Sequence, residues 1–259
     1  MIEFCCKHIW RPIPPAVQKI PFKAFTSLLN LRMSKCILKP YQHFHYKGDL
    51  SYLNQFCSSR EDGQYRSFQD FFTRRYKTHP RVVADNVWHC EGVLYESKTV
   101  REVPQVKVKG QLRNIRTIFG KFGSELKEED HYTNVFLHNK DYHRIHSPTK
   151  MRVLGYERIR GKICYLRPWI YKDFPSYPAL FNERVNLKLE DRSGRPWYMS
   201  IVGGPGVATI EMGNDFEIGA EYNAGDEIAL FLAGSTCCMV SPVKPTVHEK
   251  QRVSVALPY

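Results

Sequence analysis

The sequence predicts an α+β protein, with a helical amino-terminal region followed by a mainly β domain. Three observations carry this. Apolar residues recur at three- and four-residue steps between Pro21 and Pro40, and beyond Pro80 short alternating or apolar runs are separated by turn residues. A length of 259 residues suits one domain with a helical appendage. The expected division is a helical, basic region over residues 1–76 and a β domain over 77–259.

The first helix is read from Phe22, Phe25, Leu29, Met33 and Ile37, with Lys23, Asn30, Ser34 and Lys35 falling largely on other faces. Pro40 is expected to stop it. Such a basic amphipathic helix suits either a membrane interface or packing on the rest of the protein with a solvated basic face. A second helix is signalled at Ser67-Phe68-Gln69-Asp70-Phe71-Phe72, where Ser67 caps the first turn and Asp70 takes the third helical position. Arg74, Arg75 and Lys77 then favour the carboxyl end of its dipole. Strands are expected at 93–95, 105–109, 135–137, 185–190, 197–202, 207–212, 228–232 and 236–240, with Asp191-Arg192-Ser193-Gly194 as a turn.

A hydrophobic fraction of 42% and an aromatic fraction of 13% exclude a disordered chain, and no internal period indicates a repeat protein. The eight cysteines contain no C-x-x-C, so neither a zinc knuckle nor a thioredoxin-like pair is indicated and reduced thiols are expected. Residues 1–10 include Glu3, Lys7 and His8 and no apolar core, which argues for an intracellular location. No apolar run of about 18 residues is present, so a membrane would be met at its surface. The net charge of +12 favours anionic partners. Through Gly48, Lys7, Arg11, Lys19, Lys23, Arg32, Lys35, Lys39 and Lys47 face only Glu3, amid large apolar side chains. That pattern suits acidic lipid headgroups. No nucleic-acid-binding motif accompanies the charge, so nucleic acid is not an expected partner.

Three clusters hold candidate reactive groups: Glu91 in His89-Cys90-Glu91-Gly92, the histidines of Asp141-Tyr142-His143-Arg144-Ile145-His146-Ser147-Pro148, and Gly234-Ser235-Thr236. The His-x-x-His spacing lacks further ligands at a helpful distance, so no metal is expected. Gly203-Gly204-Pro205-Gly206 fits no nucleotide-binding fingerprint and is read as a tight turn.

Taken in order, these clusters resemble the phosphatidylserine decarboxylase family. Ser67-Phe68-Gln69-Asp70-Phe71-Phe72-Thr73-Arg74 is similar to its T-F-x-E-F-F-x-R segment, and Val108-Lys109-Gly110-Gln111 to its K-G-x strand end. Residues 141–148 match D-Y-H-R-x-H-x-P, and Asn182-Glu183-Arg184-Val185 matches N-E-R-V. Residues 225–236, ending Ala233-Gly234-Ser235-Thr236, match the surroundings of the family's L-G-S-T cleavage site. The glycine cluster stands where the family has a V-G-A segment lining the active site.

The resemblance implies a proenzyme that cuts itself between Gly234 and Ser235 into a large chain, 1–234, and a small chain, 235–259. Ser235 attacks the Gly234 carbonyl, and elimination and loss of ammonia leave a covalent pyruvoyl cofactor at residue 235. It implies that His146 is the base, oriented by Glu91, a histidine–carboxylate solution to a weak serine nucleophile. The pyruvoyl ketone would form a Schiff base with phosphatidylserine and act as electron sink as carbon dioxide leaves, giving phosphatidylethanolamine. His143 is the expected proton donor and substrate-positioning group. The mainly β catalytic domain would work as a heterodimer of the two chains, paired as a homodimer, peripheral on an acidic membrane, at the cytoplasmic face of the cell membrane if bacterial.

The chain departs from the family pattern at Trp88-His89-Cys90-Glu91-Gly92, where S-P-x-D-G is usual, so Glu91 replaces an Asp and adds a methylene. Misplacement by about 1 Å can cost about a hundredfold in rate. Ala233 replaces Leu, and Cys237 and Cys238, read as small buried hydrophobes, replace aliphatic residues. The alternatives are a pyruvoyl-dependent decarboxylase of a soluble amino acid, a non-processing lipid-binding relative, and an uncleaved hydrolase using Ser235, His146 and Glu91.

Overall fold

A computed structural model of the chain describes residues 27–108, 110–161, 164, 166–204 and 209–259, together with Pro14, Val17 and Ala24. In chain order the strands are β1 Phe56–Cys57, β2 Arg75–Tyr76, β3 Gly92–Thr99, β4 Val106–Val108, β5 Gln111–Arg113, β6 His131–Leu137, β7 Arg144–His146 and β8 Met151–Ile159. They continue as β9 Arg184–Asp191, β10 Pro196–Gly203, β11 Ile210–Met212, β12 Glu221–Tyr222, β13 Glu227–Phe231, β14 Ser235–Ser241 and β15 Arg252–Val253. An antiparallel sheet in the order β12-β8-β9-β10-β14-β6-β3-β15 forms the frame, and a smaller sheet, β11-β13-β7, packs on one of its faces. The class is α+β, as the sequence predicts.

Strand β14 shows why the frame forms. Every one of its residues is buried, the mark of a strand covered on both faces. Cys237 and Met239 join Ile145, Ile210, Ile228 and Phe231 in the core between the two sheets. The alternate residues Cys238 and Val240 point the other way, into a second core with Phe119, Phe122, Tyr171 and Leu180. Period-two alternation therefore serves two apolar layers here. The turn between β9 and β10 forms where the sequence places it. The Asp191 carboxylate accepts the amides of Ser193 (2.9 Å) and Arg195 (3.0 Å) and the Trp197 indole N–H (3.1 Å).

The helical part departs from expectation. Leu31 is extended (φ −67°, ψ 144°), and a 3-10 turn Arg32–Ile37 leads into helix α1, Leu38–Tyr46. Pro40 does not end a helix: it lies in the first turn of α1, where a missing backbone N–H costs nothing. Because the chain turns at Leu31, Leu29, Leu38 and Tyr41 pack on Phe68, Phe71 and Phe72, while Met33 is 80% exposed. Phe22, Phe25 and the basic residues before Ala24 lie outside the described residues, as do Lys109 and the strand start expected at Val207.

Helix α2, Phe68–Phe72, has the predicted cap: the Asp70 amide donates to Ser67 Oγ at 3.1 Å. The Asp70 carboxylate reaches one residue further back than a capping box does, to the Arg66 amide at 2.9 Å. Arg74 donates to Phe71 O (3.2 Å) at the carboxyl end of the helix, but it is no surface cation. It is fully buried, and it also donates to Lys140 O (2.6 Å) and Asp141 O (2.7 Å), with Phe56 and Phe71 rings against its guanidinium. It rivets α2 to the turn that precedes the two candidate histidines.

Candidate active site

Ser235 opens β14 between Gly203 of β10 and Leu137 of β6. Its side chain is fully buried, and its Oγ has no hydrogen-bond partner. An unsatisfied buried hydroxyl costs about 1–3 kcal/mol, so such a group in a packed sheet calls for a functional account. The bond before it is held on both sides. Leu232 O accepts from Gln69 Nε2 (2.9 Å), and Leu232 N donates to Thr209 O (2.8 Å). Thr236 Oγ1 donates to Asn134 Oδ1 (2.5 Å) and Val135 O (2.8 Å). Gly234 takes a φ of +22°.

The first two glycines of the 203–206 cluster lie beside this bond. Gly203 ends β10, donating its amide to Glu183 O (2.8 Å) and accepting at its carbonyl from Asn182 Nδ2 (3.0 Å). Gly204 then lies against the Gly234–Ser235 peptide: a Cβ there would stand 2.3 Å from Gly234 O and 2.7 Å from Gly234 C. The backbone must come this close because β10 and β14 are paired up to Gly203 and Ser235. Pro205 and Gly206 lie outside the described residues. Gly204→Ala is expected to displace the Gly234 carbonyl, and to slow by about a hundredfold the self-cleavage that the resemblance implies, followed as the intact mass of the fresh protein over time.

The two candidate histidines differ in what their ring nitrogens do. His143 Nδ1 lies 2.8 Å from Asp141 O, and a carbonyl can only accept, so Nδ1 carries the proton. Burial, with the Arg74 charge second, lowers the His143 pKa to about 3, so the ring is neutral and Nε2 holds a lone pair. That Nε2 is buried and has no partner. The ring packs tilted against Phe72, with ring centres 3.9 Å apart, and His143 O accepts the amide of Phe231 (2.9 Å), three residues before Gly234.

His146 Nδ1 donates to Gly225 O (2.6 Å) by the same reasoning, and burial lowers its pKa to about 4. Its remaining lone pair is taken, because Tyr142 Oη donates to Nε2 at 3.0 Å. Of the two rings, only His143 offers a free acceptor.

Glu91 does not pair with His146 as the resemblance implied. It lies buried just before β3, where its Oε1 accepts from Tyr52 Oη (2.5 Å) and meets Arg252 Nη2 at 3.4 Å. Burial pushes its pKa up, and the Tyr52 hydrogen bond opposes this. The pairing is absent because both His146 nitrogens are already engaged and Glu91 is drawn toward Tyr52 and Arg252. These three residues line a cleft of about 630 Å³ with Lys47, Lys140 and Asp141.

Several contributors had no role assigned from the sequence. Gln69 and Phe72 explain what α2 does for the site, and the N-E-R-V asparagine anchors Gly203, but neither role is visible without the register. His89 is fully buried with both ring nitrogens unpartnered, and burial, then His146, lowers its pKa to about 3. Tyr52 and Arg252 carried no sequence signal, since each meets Glu91 only through the tertiary fold. Among the described residues no group of three or more His, Cys, Asp or Glu side chains is arranged to hold a metal ion.

A family model described as phosphatidylserine decarboxylase matches residues 68–257. The chain is 26% identical over 198 residues to a phosphatidylserine decarboxylase proenzyme of Herminiimonas arsenicoxydans, covering 69% of this chain and 67% of that protein. It is 31% identical over 172 residues to the proenzyme of Shewanella sp. (strain W3-18-1), covering 64% and 57%. With the proenzyme of Chromobacterium violaceum it shares 26% identity over 219 residues, covering 75% and 76%. The chain thus spans between 57% and 76% of the length of these relatives.

Proposed function

Since this chain belongs to the phosphatidylserine decarboxylase family, we propose that it is a self-cleaving proenzyme that decarboxylates phosphatidylserine to phosphatidylethanolamine. The observation that carries the reading is the orphaned, buried Ser235 hydroxyl next to a Gly234 carbonyl that Gly204 approaches too closely to tolerate a Cβ. Both fit the formation of a pyruvoyl group in place, with Gly204, Leu137 and Thr236 as its surroundings.

In this reading Ser235 Oγ and His143 Nε2, each buried and without a partner, come within hydrogen-bond reach of one another, and Oγ gives its proton to Nε2 as it bonds to the Gly234 carbonyl carbon. The Gly234–Ser235 C–N bond breaks as the departing nitrogen takes that proton, leaving an ester. Loss of the residue 235 α-proton expels the Gly234 carboxylate, and water releases ammonia to leave the ketone. We assign the base to His143 instead of His146 because its lone pair is free. Glu91 remains the buried carboxylate of the site, acting through the charge it places near the cleft. Bound covalently, the pyruvoyl group supplies an electron-accepting carbonyl for the substrate amine. His143 Nε2 takes a proton from the substrate ammonium as that amine becomes neutral and returns it to carbon after carbon dioxide departs, and burial keeps water from competing.

The cleavage products stay together in this reading. The small chain keeps β14 between β10 and β6 and pairs β15 with β3. Residues after β15 add bonds from Trp88 N to Leu257 O (2.9 Å) and from Tyr259 N to Asn86 O (3.0 Å).

Association with acidic membranes is supported by the exposed side chains of residues 31–47. Met33 and Phe44 are 80% and 78% exposed beside exposed Arg32, Lys35, Lys39 and Lys47. Among the described residues no helix is long and apolar enough to cross a membrane.

Incubation with phosphatidylserine vesicles should release carbon dioxide and form phosphatidylethanolamine, with no release from free serine. The doubly substituted Met33→Asp, Phe44→Asp protein should lose at least about tenfold on vesicles while keeping its rate on a short-chain, monomeric phosphatidylserine. Turnover of the free amino acid alone would replace the lipid substrate by a soluble one.

A further inference from the structure

Arg252 belongs to no recognised motif, yet it joins the two halves of the site. It lies in β15, on the far side of the self-cleavage point from the histidines, and its side chain is 49% exposed along the cleft. Its Nη2 contacts two carboxylates: Asp141 Oδ1 at 2.7 Å and Glu91 Oε1 at 3.4 Å. Those carboxylates are nearly inaccessible, with side chains 1% and 5% exposed. Two like charges buried together repel, and a single cation between them removes most of that cost.

Asp141 is also the residue that sets His143. Its Oδ2 accepts the His138 amide (2.8 Å), its own amide donates to His138 O (2.8 Å), and its carbonyl takes the His143 Nδ1 proton at 2.8 Å. Arg74 holds the same carbonyl from the other side at 2.7 Å.

We infer that Arg252 is a positioning residue for His143: by clasping the Asp141 carboxylate it fixes the turn whose carbonyl selects the Nδ1-protonated ring and leaves Nε2 free. The small chain then supplies both the residue that becomes the cofactor and the cation that orients the group acting on it. This rests on the self-cleavage reading above, in which His143 is the base.

The test uses the full chain with Arg252→Gln, Arg252→Lys, Asp141→Asn and the Arg252→Gln, Asp141→Asn pair. Two readouts are taken. Cleavage is timed by intact mass, and the His143 tautomer is read from imidazole 15N shifts in a Ser235→Ala background, where cleavage cannot intervene. Arg252→Gln should cleave about tenfold more slowly and show a mixed tautomer; its urea midpoint should also fall, because two buried carboxylates lose their shared cation, so the tautomer and not the midpoint is the deciding readout. Arg252→Lys should restore cleavage and tautomer, since both contacts come from one nitrogen. Asp141→Asn should behave as Arg252→Gln does, and the pair should be no worse than either alone. Wild-type cleavage in Arg252→Gln, an unchanged tautomer, failure of lysine to rescue, or additive losses in the pair would each overturn the inference. If the wild-type chain itself stays intact, the self-cleavage reading fails, and the tautomer measurement still decides what Arg252 does.

Discussion

Ser235→Ala should leave one intact chain of unmodified mass, whereas the unaltered protein should separate under denaturing conditions into residues 1–234 and a short chain beginning with a pyruvoyl group. The expected effect is complete, because without the Ser235 hydroxyl nothing at residue 235 can attack the Gly234 carbonyl and form the ester. The variant should nevertheless fold. Ser235 Oγ makes no hydrogen bond, so its removal deletes an unsatisfied buried group and should stabilise the precursor by up to about 1–3 kcal/mol. Comparing urea midpoints of Ser235→Ala and another uncleaved variant, such as His143→Asn, checks this. Intact mass of the fresh protein decides between readings. A single unmodified chain from the unaltered sequence would favour a non-processing, lipid-binding relative, and Glu91→Asp would then be the variant to examine for restored cleavage.

The second large effect separates the two histidines. His143→Asn should slow self-cleavage by about 10²–10⁴-fold, the usual contribution of a positioned general base. Tyr142→Phe should leave the rate as it is. That substitution frees His146 Nε2, which among the described residues meets the Tyr142 hydroxyl at 3.0 Å. If His146 were the base, releasing it would accelerate cleavage, and His143→Asn would be mild. The pair of variants therefore gives opposite patterns for the two assignments, measured as the decay of precursor mass under single-turnover conditions. Burial holds the His143 pKa near 3, so the ring is neutral and Nε2 unprotonated throughout the ordinary pH range.

Much of the molecule was legible in the sequence. The runs at 93–95, 135–137, 185–190, 197–202 and 236–240 fall within β3, β6, β9, β10 and β14, since apolar periodicity reports the face a residue must bury. The Ser67 cap and the 191–194 turn are local hydrogen-bond chemistry, and each formed as read. Strand β8 escaped notice: its buried positions Met151, Val153 and Gly155 alternate with charged or partly exposed ones, and Gly155 is the gap into which the Phe122 ring fits. The apolar stripe from Phe22 to Ile37 reads as one continuous helix, whereas an extended Leu31 breaks the run and redirects Leu29 and Leu38.

The sequence by itself determined the α+β class, the order of the motifs and the identities of Glu91, His143, His146, Ser235 and the Gly234–Ser235 bond as candidates. These are properties of local pattern and residue chemistry, which survive without coordinates. Only the tertiary structure decided which groups meet: Gly204 against Gly234, Gln69 on Leu232, Tyr142 on His146, and Arg252 between Glu91 and Asp141. The last of these links residues 111 and 161 positions apart in the chain. Hydrogen bonds reach about 3 Å and are directional, so a free lone pair on one imidazole and an occupied one on the other depend on register and turn geometry that no spacing in the sequence encodes.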